Sequence, residues 1–190
     1  MKLPIVAYGD PVLKRIAVDI EPSFPELKQL IADMFETMYA ARGVGLAAPQ
    51  VGHSIRLFVV DAIPFGDEEP DLKHFKKVFI NAHIVEETGE KWPFNEGCLS
   101  IPDIREDIYR CSNLRISYYD ENWEHHEEAF KGMAARIIQH EYDHTDGKLF
   151  TDHLSPLRKR MLQKRLSNII KDWLDRNPCA LNYYAWTANY

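Results

Sequence analysis

Cysteine is scarce in this sequence: three in 190 residues, an odd number. That count does not suggest a disulfide framework and fits a reducing cytoplasm, where a cysteine is buried, metal-binding or catalytic. Long hydrophobic runs are missing as well. The opening "MKLPIVAYGD" is too short in its apolar run for a secretory signal, and no stretch approaches the ~20 apolar residues of a membrane-spanning helix. There is no basic excess either; the formal net charge of −6 argues against a chain built mainly to coat nucleic acid. Internal repeats and low-complexity tracts are absent. What is present is a chain of one-domain size, 45% hydrophobic and 27% charged, long enough to bury a real core.

Periodicity supplies the elements. "PELKQLIADMFETMYAARG" reads as an amphipathic helix from Pro25, with Leu27, Leu30, Ile31, Met34, Phe35 and Met38 on one stripe and Gly43 as its stop. "SIRLFVVDA" and "KKVFINAHIVEE" read as strands, and the acidic "IPFGDEEPDLKHF" (63–75) between them as an exposed excursion. Two more strands, joined by a turn at "DEN", follow in "YRCSNLRISYYDENWEHHEEAFKG". A helix is expected after Gly132, and a last one over about 156–176 with Ser155 as N-cap and Pro156 at its first position. Strands surround a central helix without regular alternation. The fold class is therefore α+β, with small antiparallel β-sheets around that helix and a C-terminal helix. One domain over 1–177 and a tail over 178–190 follow.

The central helix carries the chemistry. In "IIQHEYDHTDGKLF", His140 and His144 stand one turn apart on one face and can grip one ion, with Glu141 directly after the first. A catalytic site of this kind usually takes three protein ligands and leaves a position for water. The downstream position where an HExxHxxGxxH site has its last histidine holds Phe150, and no glutamate occurs after Glu141; His153 and several aspartates remain. Upstream, Cys98 in "NEGCLSIP" offers a thiolate on a loop beside a glycine, and is the better third ligand. Cys111 and Cys179 read as small buried hydrophobes. A further segment, "RGVGLAAPQVG", combines two glycines, compact alanines and the amide of Gln50.

Taken in order, "GVGLAAPQ", "EGCLS" and "HEYDHTDG" resemble the three motifs of the peptide deformylases, GxGxAAxQ, EGCxS and HExxH, without a break. The resemblance runs from "YGDPVLKRIA" to the helix after "LSPL", and is weaker in the 63–75 excursion and the tail. It implies removal of the N-formyl group from the initiator methionine of new polypeptides, releasing formate. It implies a metal on Cys98, His140 and His144, Glu141 as base and then acid, and Gln50 with the backbone N–H of Leu99 stabilising the oxyanion. By ligand type alone the metal would be zinc. The resemblance implies Fe2+, with Zn2+, Ni2+ or Co2+ able to substitute.

Counting back from His140 by helical spacing puts Ile137 and Met133 on its face, as walls of a methionine pocket or as ordinary core. Val44 and Phe94 are placed to close that pocket, and Gly45 to pair with the substrate backbone. Glu96, Arg105, Arg110 and Asp143 are candidates to support the ligands. On the last helix Leu157, Met161, Leu162, Leu166, Ile169, Ile170 and Trp173 form an apolar stripe. Its seven basic residues, from Arg158 to Arg176, make either a solvated face or, as the resemblance suggests, a contact with the ribosome near the exit of the nascent chain. The rival functions are a peptidase cutting internal bonds and a binding module keeping a structural metal.

Overall fold

The computed structural model describes residues 1–176; the expected tail, Cys179 included, lies outside the described residues. The elements run α1 (Leu27–Ala40), β1 (Gly45–Ala47), β2 (Leu57–Asp61), β3 (Lys76–Cys98), β4 (Ile101–Tyr119), β5 (His125–Lys131), α2 (Gly132–Thr145) and α3 (Pro156–Arg176). The expected α+β class is observed. The five strands join in one antiparallel sheet in sequence order, β1-β2-β3-β4-β5.

Most of the sheet is one long hairpin. β3 and β4 pair from Ile80↔Tyr119 to Cys98↔Ile101, with register shifts at four places that let the ribbon bend. β3 thus continues well past the "KKVFINAHIVEE" read from sequence, through Gly89, Pro93 and Gly97. Those residues argue against a strand interior unless bulges absorb them, and a register shift between Thr88 and Lys91 does so at Gly89. Cys98 is accordingly the last residue of β3 rather than part of a loop, with only Leu99 and Ser100 between it and β4.

Three apolar clusters hold the layers together. α2 lays Met133, Ala134, Ala135, Ile137 and Ile138 against Phe58, Phe79, Leu114 and Ile116 of the sheet. Each fully buried side chain of Ile or Met size contributes about 2 kcal/mol. α1 packs Leu30, Ile31, Met34 and Met38 on Leu57, Val59 and Ile80. It begins at Leu27, since Pro25 and Glu26 form a turn with Glu26 at φ 56°. It ends with Arg42 in the left-handed region (φ 58°) and the Gly43 N–H bonded back to the Met38 carbonyl.

α3 docks Leu162 and Leu166 on Ile104, Ile108 and Phe150. Ser155 caps it as expected, its Oγ accepting from Arg158 N–H at 3.3 Å. The apolar stripe is narrower than its spacing suggested, because Leu157 (71% exposed) and Met161 (63%) face solvent. Cys111 is only half-buried on β4. No helix among the described residues is long and apolar enough to cross a membrane.

Candidate metal centre and its cavity

The end of the β3–β4 hairpin meets the face of α2. There the ligand atoms of Cys98, His140 and His144 all lie within 4.8 Å of one another, with Cys98 Sγ 3.4 Å from His144 Nε2. The two imidazoles cross at 77° with centroids 5.2 Å apart, and the fully buried Phe150 stacks beside His140. So the residue that excluded a downstream histidine ligand packs against one of the candidate ligands.

Orientation of the first imidazole comes from Glu96, whose Oε2 stands 2.9 Å from His140 Nδ1. Glu96 is itself gripped by Arg110 through Nε (2.8 Å) and Nη2 (3.1 Å) and by Arg136 Nη1 (2.9 Å). Arg110 also donates to Asp143 at 2.7 Å, and Asp143 meets His153 at 2.7 Å. Burial pushes the Glu96 carboxyl upward, but His140 and Arg110 outweigh it and hold it well below the usual carboxylate range. Of the four expected supporting residues, Glu96, Arg110 and Asp143 form this network. Arg105 does not: its guanidinium folds onto Asn95 at the rim. Arg136 and His153 were not expected in the network, although Arg136 lies one turn before His140 on the same helical face.

The donor set fits a divalent cation. A thiolate with two imidazoles is a soft, three-ligand set open on one side. His144 is 1% exposed and burial holds its ring neutral, the form that ligates; its Nδ1 has no hydrogen-bond partner among the described residues. For His140, burial favours the neutral ring too, but Cys98 and Glu96 outweigh it and hold a proton that a cation would displace.

A cavity of about 660 Å³ opens on this centre. Cys98, Leu99, His140 and Glu141 line it, as do Gln50 and every residue expected in the methionine pocket: Val44, Gly45, Phe94, Met133 and Ile137. His144, deeper, is not on its wall. Gln50 is locked by its Oε1, which accepts the Ala47 N–H at 2.8 Å, and its Nε2 is thereby held 3.4 Å from Cys98 Sγ and from Ser100 Oγ. Glu141 is buried, and its Oε2 finds no partner among the described residues. Desolvation pushes its carboxyl up to about 7. Asp103, Ile104 and Arg136 also line the cavity without having been singled out from the sequence, and so does Phe65, from the 63–75 excursion expected to be exposed.

Comparison with known proteins agrees with this geometry. The family described as "Polypeptide deformylase" matches residues 2–160. A peptide deformylase of Flavobacterium johnsoniae is 58% identical over 176 residues, 89% of this chain and 90% of that protein. One from Christiangramia forsetii is 56% identical over 178 residues, 90% of this chain and 91% of its own length. The crystal structure of a peptide deformylase from Legionella pneumophila superposes with a TM-score of 0.79 at 39% identity, covering 90% of this chain and 96% of that one. The family is metal-dependent and takes formylated nascent peptides as substrates. Sequence, fold and centre agree, and the chain belongs to the peptide deformylase family, hydrolases that remove the N-formyl group from new polypeptides.

Proposed function

We propose that the formyl group is cleaved in the cavity beside Cys98, His140 and His144, with these three side chains holding the metal and Glu141 moving the proton. A cation there would supply Lewis acidity at neutral pH, polarising water and the formyl carbonyl. The observation that carries the reading is the buried Glu141 carboxylate, with one oxygen unpartnered among the described residues, on the wall of the same cavity. Leaving such an atom without a partner costs stability, and a water or substrate group in the cavity would supply one. Beside a divalent charge the ionised carboxylate is favoured, which is the form that takes a proton from water as oxygen attacks the formyl carbon. Glu141 then gives that proton to the amide nitrogen as the C–N bond breaks, leaving formate and a free amine. Gln50 Nε2, held rigid by Ala47, and the Leu99 N–H are the donors for the negative oxygen of the tetrahedral intermediate.

Val44, Phe94, Met133 and Ile137 are the apolar walls for the methionyl side chain. Gly45 offers its backbone to the peptide. The Val44 carbonyl accepts from Asp61 N–H, so by alternation the Gly45 groups face away from β2, at an open sheet edge suited to an added strand. Fe2+ is the working metal on family grounds, with Zn2+, Ni2+ or Co2+ able to replace it. Ferrous iron beside a thiolate makes the enzyme sensitive to peroxide. The setting is the cytoplasm, and the catalytic domain spans 1–177. α3 reaches the ribosome through the exposed basic residues that neither ion-pair with nor donate to the body among the described residues: Arg160, Lys164 and Lys171.

The reading is tested by formate release from formyl-Met-Ala-Ser alongside metal analysis. Glu141→Ala should abolish turnover and keep the metal, whereas Cys98→Ala should lose the metal. Full activity in the Glu141 variant would overturn the proton-transfer role.

A further inference from the structure

α2, which carries both histidines, starts badly by its own resources. Its N-cap position is Lys131, which makes no side-chain cap, and its first turn holds no acidic residue. Gly132 has a positive φ of 57°. The carboxylate that serves this end comes from far away in the sequence. Glu69 Oε1 and Oε2 accept the Met133 N–H at 3.1 and 3.3 Å, and a Cβ on Gly132 would come within 2.7 Å of Glu69 Oε2. An anion at a helix start satisfies a free amide and meets the positive end of the helix dipole.

Glu69 is also wired to the cavity wall. Its N–H donates to the Phe65 carbonyl at 2.9 Å, and the Phe65 N–H donates to the Ala62 carbonyl at 2.9 Å. Leu72, 3% exposed, anchors the far side of the segment through its N–H to the Glu69 carbonyl, and Ala62 N–H to Phe75 carbonyl closes the base. The segment is therefore a closed loop pinned at three points. Phe65 projects from it into the cavity that Met133 also lines, and both pack in the same apolar cluster.

We infer that Glu69 is a positioning residue for substrate selection: by capping α2 at Met133 and holding Phe65 through one backbone turn, it sets the spacing of two walls of the side-chain pocket. The acidic excursion is thereby part of the specificity apparatus, not a bystander on the surface. This rests on the assignment of the cavity to the methionyl side chain. Glu69 touches neither the donors nor the reacting atoms, so its loss should act on side-chain fit, through KM, and not on the chemical step.

The test uses the metal-loaded enzyme and compares formyl-Met-Ala-Ser with formyl-Leu-Ala-Ser. Phe65→Ala and Glu69→Ala should both reduce the preference for methionine, by about threefold to tenfold in the ratio of kcat/KM, mostly through KM. Glu69→Gln keeps an acceptor oxygen and should retain most of the preference. Wild-type selectivity in Glu69→Ala, with only a lower Tm, would reduce Glu69 to an ordinary helix cap and overturn the inference. An unchanged ratio in Phe65→Ala would do the same. Ile137→Phe, which fills the same cavity from α2, separates the two levels. If it changes the ratio while Glu69 and Phe65 variants do not, only the inference about the excursion fails; if it too is silent, the pocket assignment itself is wrong.

Discussion

Gly45 shows how much of the chemistry turns on single atoms. A Cβ built there would lie 2.3 Å from Glu141 Oε1, so the carboxylate has its place only because residue 45 has no side chain. Gly45→Ala should therefore push Glu141 aside and lower kcat/KM by about a hundredfold, with metal content unchanged. Turnover within about threefold of wild type would show that Glu141 can act from another position. At this scale the sequence was most informative for the residues whose side chains gather at the candidate metal centre and its cavity. Two histidines at helical spacing and a cysteine after glycine have few other uses in combination, and the structure brings their donor atoms together. Which of the four candidate supports orients His140 could not be read, because Glu96 is 44 residues away and only the hairpin brings it to α2. Arg136 lies one turn before His140 on the same helical face, but nothing local to it marks a role. Its partners, Glu96 and the carbonyls of Trp92 and Ile108, come from distant strands.

The helices were legible from the 3.6-residue period to within two residues, although α1 begins at Leu27 and not at Pro25, and α2 takes its N-terminal cap from the distant Glu69. β3 was underestimated because glycine and proline are read as breakers, whereas a hairpin with bulges accommodates both. The first two turns of α3 were overestimated, since helical spacing cannot tell a docked leucine from an exposed one; Leu157 and Met161 extend beyond the edge of the body while Leu162 and Leu166 are buried. The basic face of α3 needs the same discrimination. Arg158 donates to Glu106 at 2.6 Å, Lys159 to the Asp152 carbonyl at 2.9 Å and Arg165 to the Asp103 carbonyl. These residues brace the helix on the body. Charge reversal at the exposed Arg160, Lys164 and Lys171 should weaken co-sedimentation with ribosomes at low salt and leave tripeptide turnover unchanged. Unaltered co-sedimentation would remove the ribosome contact from the proposal.

For the whole molecule, the buried ion network links metal-centre geometry to acid stability. Glu96 is held below its ordinary range, so its ionised form is stabilised by folding. That stability is present above the unfolded value of about 4.3 and is lost as pH falls below it toward the folded value. Measured on the metal-stripped chain, where acid release of a cation plays no part, unfolding free energy should fall steeply below about pH 4.5. Glu96→Gln should be less stable at pH 7 and show a shallower acid slope; an equal slope would mean that Glu96 is not what the acid attacks. The overall class was legible because strands and one central helix alternate too irregularly for a parallel sheet. The continuity of the sheet was not, since register across a bent hairpin is set by three-dimensional packing. The most direct test of the whole account is X-ray absorption of the anaerobically purified, metal-loaded protein. One sulfur at about 2.3 Å and two imidazole nitrogens at about 2.0–2.1 Å are expected around a single metal, by analogy with zinc distances. A metal shell without sulfur would contradict the assignment of Cys98, and with it the centre described above.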